Sequence, residues 1–166
     1  MKPLLVLGTR GVVSPVGEHP PEHYRMVDLI DKAAWGSKQT GRRARALSRV
    51  FETVWCSRCG DEINLFGAVL GIPAFDPLEI SDEPEHNSDD FLDAVRERAH
   101  GRPCAWVSAF HGGETLKWAA ERQQPTLLVG TDPAVGLTES EMKKLVSFSL
   151  AVDRHPMRST DLPAES

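Results

Sequence analysis

Apolar residues follow two rhythms along this chain, short unbroken runs and helical stripes. Leu4-Leu5-Val6-Leu7 is a run closed by Gly8, with Gly11 and Pro15 behind it, and predicts a buried strand entering a loop. Phe51 to Cys56, rich in β-branched and aromatic residues, predicts a second strand; Cys104–Val107 and Thr126–Val129 predict two more. Between them the stripes predict helices. Met26, Val27, Leu29 and Ile30 suggest a short helix over 24–34, and Ala44, Leu47 and Val50 one over 42–50. Ile63, Leu65, Phe66, Val69 and Leu70 fit a helix stopped by Gly71 and Pro73. Ser88 is placed to cap a helix reaching His100, with Phe91, Leu92 and Val95 inward. Leu116, Ala119 and Ala120 form a further stripe. Thr138-Glu-Ser-Glu141 reads as a capping box opening a last helix through Met142, Leu145 and Val146. Residues 14–23 and the acidic stretch 76–90, both punctuated by proline, read as loops.

Strands alternating with helices imply an α/β fold: a three-layer α/β/α sandwich on a mainly parallel, Rossmann-like sheet, without a large cap domain. The 166 residues fit one domain over 1–152, followed by a polar, frayed tail at 153–166. In such sheets ligands bind beyond the carboxyl ends of the strands. Attention therefore falls on residues 8–11, 56–58, 108–110 and 130–132.

Composition narrows the function classes. A net charge of -5 argues against nucleic acid or an anionic membrane as the partner. No apolar run approaches the ~20 residues of a membrane span, and the amino-terminal run is too short for a signal peptide. Three cysteines do not make a disulfide framework, so the chain reads as cytoplasmic.

Several local patterns imitate known chemistry. Gly36-Ser-Lys-Gln-Thr-Gly41 has the glycine spacing of a phosphate-binding loop, but Arg42 and Arg43 follow where Lys and Ser or Thr are needed. His111-Gly112-Gly113 resembles an oxyanion loop, yet the chain has no G-x-S-x-G elbow, and a loop entering a helix is simpler. Cys56-x-x-Cys59, with Cys104 as a third sulfur, has the spacing of a redox pair or half a zinc site; buried cysteines at strand ends are the commoner state. Arg42, Arg45 and Arg49 share one helix face and read as a solvated surface.

At the strand ends the sequence resembles the haloacid dehalogenase-like (HAD) superfamily, in particular its small, phosphatase-like members of actinobacterial type. Leu4-Leu-Val-Leu-Gly8-Thr-Arg10-Gly-Val-Val-Ser-Pro15 has the frame of that family's first motif, an apolar strand followed by D-x-D-G-V-L-N-P. Val54-Trp55-Cys56-Ser57, with Asn64 following, is similar to the second motif, V-W-A-T with an Asn on the next helix. Arg102-Pro-Cys-Ala-Trp106-Val-Ser108-Ala109 resembles the fourth, R-P-L-A-W-hydrophobic-D-D. Thr126-Leu-Leu-Val-Gly-Thr131-Asp132-Pro133-Ala-Val-Gly136-Leu-Thr138 resembles the last strand and closing turn. The resemblance spans residues 4–150 and implies that strand one is central, between the strands near 51 and 104.

The departures from that pattern carry the functional expectation. In active members, the resemblance implies, the first Asp of D-x-D attacks phosphorus, the second is the acid/base, and fourth-motif carboxylates help hold Mg²⁺, a cation that takes oxygen ligands. Here those positions are Gly8, Arg10, Ser108 and Ala109, and no lysine precedes Phe91 where the third motif would place one. Only Ser57 survives. The expectation is a catalytically degenerate pseudo-phosphatase acting by binding, by regulation or within an assembly, with another protein as candidate partner, no cofactor and the Mg²⁺ site lost. Thr9, Arg10 and Ser57 would bind a small anion in the vacated cleft, unless Arg10 pairs with a carboxylate such as Asp132 and closes it. The alternative is a hydrolase of phosphorylated small molecules working through other residues, such as Cys56, His111 or Asp132.

Overall fold

The computed structural model describes residues 1–28, 33–79 and 87–154. β1 (Leu4–Gly8) lies at the centre of a five-stranded sheet, between β4 (Glu52–Cys56) and β6 (Cys104–Ser108). The two-residue β5 (Asp76–Pro77) extends the sheet beyond β4, and β7 (Thr126–Gly130) extends it beyond β6. Every pairing in it is parallel. A parallel sheet is covered on both faces, which is why β1 reads as an unbroken apolar run. All five of its residues are buried.

Alternation along β1 divides the core in two. Leu5 and Leu7 join Ala44, Leu47, Ile63, Phe66 and Leu145 on the face covered by α1 (Lys38–Leu47), α2 (Glu62–Val69) and α5 (Glu139–Arg154). Leu4 and Val6 face α3 (Leu92–Arg98) and α4 (Gly113–Glu121), packing with Leu92, Val95, Trp106 and Trp118. Each fully buried side chain of this kind contributes about 1.5–3 kcal/mol. Among the described residues no helix is long and apolar enough to cross a membrane.

Several elements differ from the sequence expectation. The described residues of 24–34 do not form a helix: β2 (Arg25–Asp28) and β3 (Ala33–Gly36) pair antiparallel as a hairpin, with Met26 opposite Trp35. Val27 turns inward against Gly36, where a Cβ would meet its Cγ2 at 2.9 Å, while Met26 faces solvent. Leu29 and Ile30, half of the predicted stripe, lie outside the described residues. α1 begins four residues early because the Ser37 hydroxyl accepts the Thr40 N–H at 3.3 Å. It ends at Leu47, so Arg49 lies beyond the helix that carries the exposed Arg42 and Arg45. Asn87, not Ser88, makes the cap before α3; its side chain accepts the Asp89 N–H at 2.8 Å and opens a 3₁₀ turn over Ser88–Phe91. Leu65, Val69, Leu116 and Val146 are exposed, and the inward positions of their helices are Ile63 and Phe66, Thr115 and Trp118, and Leu145 with Met142. The acidic stretch contributes β5 at its start, and its residues 80–86 lie outside the described set. α5 continues through Arg154, past the point where the tail was expected to fray, and 155–166 are outside it as well.

Polar side chains bind the layers at two places. At the amino-terminal end of the sheet, Arg102 donates to the Lys2 carbonyl at 2.8 Å and to Glu52 at 3.0 Å, joining the starts of β1, β4 and β6. Arg122 donates to the carbonyls of Ala99 and Arg102 at 2.6 and 2.7 Å and to the Thr126 hydroxyl at 2.8 Å, with its guanidinium over the Trp118 ring. Behind β4, Asn64 accepts the Trp55 indole N–H at 2.8 Å and closes both hydrogen bonds of the Phe75 backbone at 3.0 Å. Trp55 and Asn64 thus have a structural reason to occur together.

Candidate functional site

Parallel register brings the strand ends into one row: Cys56 pairs with Gly8, Ser108 with Gly130, and Gly8 lies beside Ser108. After β1 the chain turns sharply, the Thr9 carbonyl accepting N–H groups from Val12, Val13 and Ser14. Gly11 allows this turn with φ of +77°, and a Cβ there would lie 2.8 Å from the Ala109 methyl. The turn is fastened to the loop after β7: the Thr131 hydroxyl donates to the Gly11 carbonyl at 2.7 Å, Val16 N–H to Pro133 at 2.7 Å, and Leu137 N–H to Val12 at 2.8 Å.

At Gly8 a side chain does not fit this arrangement. Its Cβ would stand 2.9 Å from the Val107 carbonyl oxygen and 3.1 Å from Val12, and the first of these is backbone that moves only with the sheet. Ala109 packs its methyl under Gly11, and the Ser108 hydroxyl lies 3.3 Å from both polar backbone atoms of Phe110. Thus Gly8, Arg10, Ser108 and Ala109 supply no carboxylate, and Arg10 brings a fixed positive charge. This donor set does not fit Mg²⁺, which is held through carboxylates and waters. Among the described residues no three His, Cys, Asp or Glu side chains cluster to hold a metal.

Arg10 is exposed, and its guanidinium makes no hydrogen bond or ion pair among the described residues. Asp132 does not pair with it. That carboxylate instead accepts the Ala134 N–H at 2.9 Å, closing its own turn. Ser57 is buried and its hydroxyl accepts the Cys59 N–H at 3.1 Å.

Beside Arg10 a cavity of about 330 Å³ opens between the turn after β1, the hairpin and α2. Thr9, Arg10, Pro15, Trp35, Ile63 and Phe66 line it, with Cys59 and Glu62 adding polar edges. Two of the predicted anion residues, Thr9 and Arg10, are therefore brought together on its wall, while Ser57 is not part of the lining.

No known family, curated protein or solved structure matches this chain. The site is read from its own geometry.

A second polar cluster, absent from the sequence reading, joins the 3₁₀ turn to the start of α4. The Ser88 hydroxyl donates to Thr115 Oγ1 at 2.8 Å, which donates to Asp89 at 2.7 Å; Ser88 also accepts the Gly112 N–H at 3.0 Å. His111 lies between Ser88, 3.3 Å from Nδ1, and the Val129 carbonyl, to which Nε2–H donates at 3.0 Å. Burial pushes the His111 pKa down, with the Val129 hydrogen bond opposing the shift. For Asp89, burial acts upward but is outweighed by hydrogen bonds from the Thr115 hydroxyl and the backbone N–H groups of Thr115 and Glu114, so its carboxyl sits below the usual value. Ser88 is 1% exposed, out of reach of a substrate.

The three expected alternative chemical groups are dispersed. His111 is occupied in this cluster, Asp132 in its turn, and Cys56 is buried in the β4 core. Cys104 is buried too, its thiol pushed up to about 12 by desolvation.

Proposed function

We propose that this chain is a HAD-like protein whose phosphatase chemistry has been lost, and that it acts by binding a small anion at the strand ends without a metal. The observation that supports the reading is Gly8, where the nucleophile of the resembled motif would stand: a Cβ there would lie 2.9 Å from the Val107 carbonyl oxygen, so a side chain requires the backbone to shift. Arg10 supports it, because a planar, permanently charged fork that makes no ion pair among the described residues suits a phosphate or carboxylate bound in bidentate fashion. Regulation, or a part in an assembly with another protein, is the role such binding would serve. The engagement of His111 and Asp132 leaves the alternative hydrolase reading without a grouped nucleophile and base.

The test is thermal unfolding in EDTA with millimolar phosphate. The midpoint should rise with phosphate, and Arg10→Ala should abolish the rise while changing the ligand-free unfolding free energy by no more than about 0.5 kcal/mol, the small range of exposed substitutions. No response to phosphate, or a response that survives Arg10→Ala, contradicts the proposal.

A further inference from the structure

The cavity beside Arg10 has more wall than an inorganic anion can use. Most of its surface is apolar: the half-buried Trp35 and Ala34 stand at its side, with Pro15 and the buried Ile63 and Phe66 of α2 behind. A bare phosphate on Arg10 would leave this surface facing water, which costs free energy in proportion to its area. At about 330 Å³ the space is at the small end of the range for organic-ligand sites, enough for a one- or two-ring body. The hairpin that carries Trp35 packs so closely on α2 and its C-cap that a Cβ on Gly36 would lie 3.3 Å from Phe66 and 2.9 Å from Leu70. The wall is therefore formed in advance, a condition for binding a small ligand without an ordering cost.

Polar groups are few and of distinct kinds. Arg10 supplies the positive charge, and the Thr9 hydroxyl has no hydrogen-bond partner among the described residues, so both are open to a ligand. Glu62 adds a carboxylate to the lining, which disfavours a ligand with a second negative group at its far end.

We infer that this cavity takes a small organic anion with an aromatic body, its single carboxylate or phosphate group on Arg10 and Thr9 and its ring between Trp35, Ile63 and Phe66. The inference rests on the anion-binding reading above and adds the body of the ligand to it. Carboxylate and phosphate share the chemistry Arg10 recognises, and the experiment separates them.

The probes are inorganic phosphate, phenyl phosphate, benzoate and neutral benzyl alcohol, titrated calorimetrically against the full chain in EDTA. At least one aromatic anion should bind about tenfold or more tightly than phosphate. Trp35→Ala should remove that advantage, Trp35→Phe should restore most of it, and Arg10→Gln should remove binding of all three anions. Cys59, which lines the cavity, gives a readout of place: alkylation at Cys59 should slow when the aromatic anion is bound, with buried Cys104 unaffected. Equal affinity for phosphate and both aromatic anions, indifferent to Trp35→Ala, overturns the inference and leaves metal-free anion binding standing. Binding of benzyl alcohol as tight as benzoate, unchanged by Arg10→Gln, overturns the inference by removing the anion. No binding by any probe overturns both readings.

Discussion

At the amino-terminal end of the sheet, Arg102 and Arg122 direct their donors to carbonyls and side chains at the starts of β1, β4, β6 and β7 and at the end of α3, whereas at the carboxyl end Arg10 has no partner among the described residues. The same contrast runs through the motif-like segments. Trp55, Asn64, Arg102 and Trp106, which match the resembled pattern, hold layers together; Gly8, Arg10, Ser108 and Ala109, which depart from it, are the positions where chemistry would reside. Arg102 and Arg122 join the strand starts, whereas the positions that depart from the resembled pattern lie at the carboxyl ends of β1 and β6. Substitutions at the carboxyl ends can therefore leave the contacts that join the strand starts intact.

The largest test of this contrast is at Asn64. Replacing it with Ala leaves the buried Trp55 indole N–H and both polar atoms of the Phe75 backbone without their partner, and should lower unfolding free energy by about 2–4 kcal/mol in urea denaturation. A loss under about 1 kcal/mol would mean that water replaces these bonds and that Asn64 contributes little to holding β4 and the Phe75 segment together.

Next is the attempt to reverse the carboxyl end. Gly8→Asp introduces a Cβ against the Val107 carbonyl, so it should destabilise by about 1–3 kcal/mol and yield no phosphatase turnover, alone or with Arg10→Asp and Ser108→Asp. A stable Gly8→Asp variant with Mg²⁺-dependent turnover would show that the row is only chemically altered, not closed.

The smallest effect concerns pH. His111 has a folded pKa below its ordinary 6.5, so as pH falls through that value the unfolded chain takes up a proton that the folded chain does not, and stability declines until the lowered value is passed. His111→Gln should flatten this slope, measured as urea midpoints between pH 7 and pH 5. It should not remove it, because His23 is also lowered, by partial burial and then by Arg43. Asp89 acts in a lower window: its depressed pKa contributes stability above the ordinary carboxylate value, lost as pH falls through the folded one. An unchanged slope in His111→Gln would refute the buried-histidine account.

Legibility in the sequence follows burial. Strands covered on both faces produce apolar runs, and all four predicted strands exist, with β1 central. β5 escaped notice because two residues paired on one edge leave no pattern. The hairpin leaves no strand signature because four-residue strands with few inward side chains, Val27 and Ala34, resemble a short helix. Helices were found but some of their faces misjudged: Leu116 and Val146 are apolar yet exposed, while Thr115 turns inward because Ser88 and Asp89 satisfy its hydroxyl. Of the candidate site, Thr9 and Arg10 were legible from their place after β1. Trp35, Ile63 and Phe66 were not, since they meet Arg10 only when a hairpin and a helix from two other segments close over the turn. The Ser88–Thr115–His111 cluster spans 23 to 27 residues and has no sequence motif.

The account stands most directly on one measurement, the hydrolysis of 4-nitrophenyl phosphate by the full chain with Mg²⁺ and with EDTA. With Gly8, Arg10, Ser108 and Ala109 at the strand ends, the rate should stay at background in both conditions. Robust turnover that the chelator removes would contradict it.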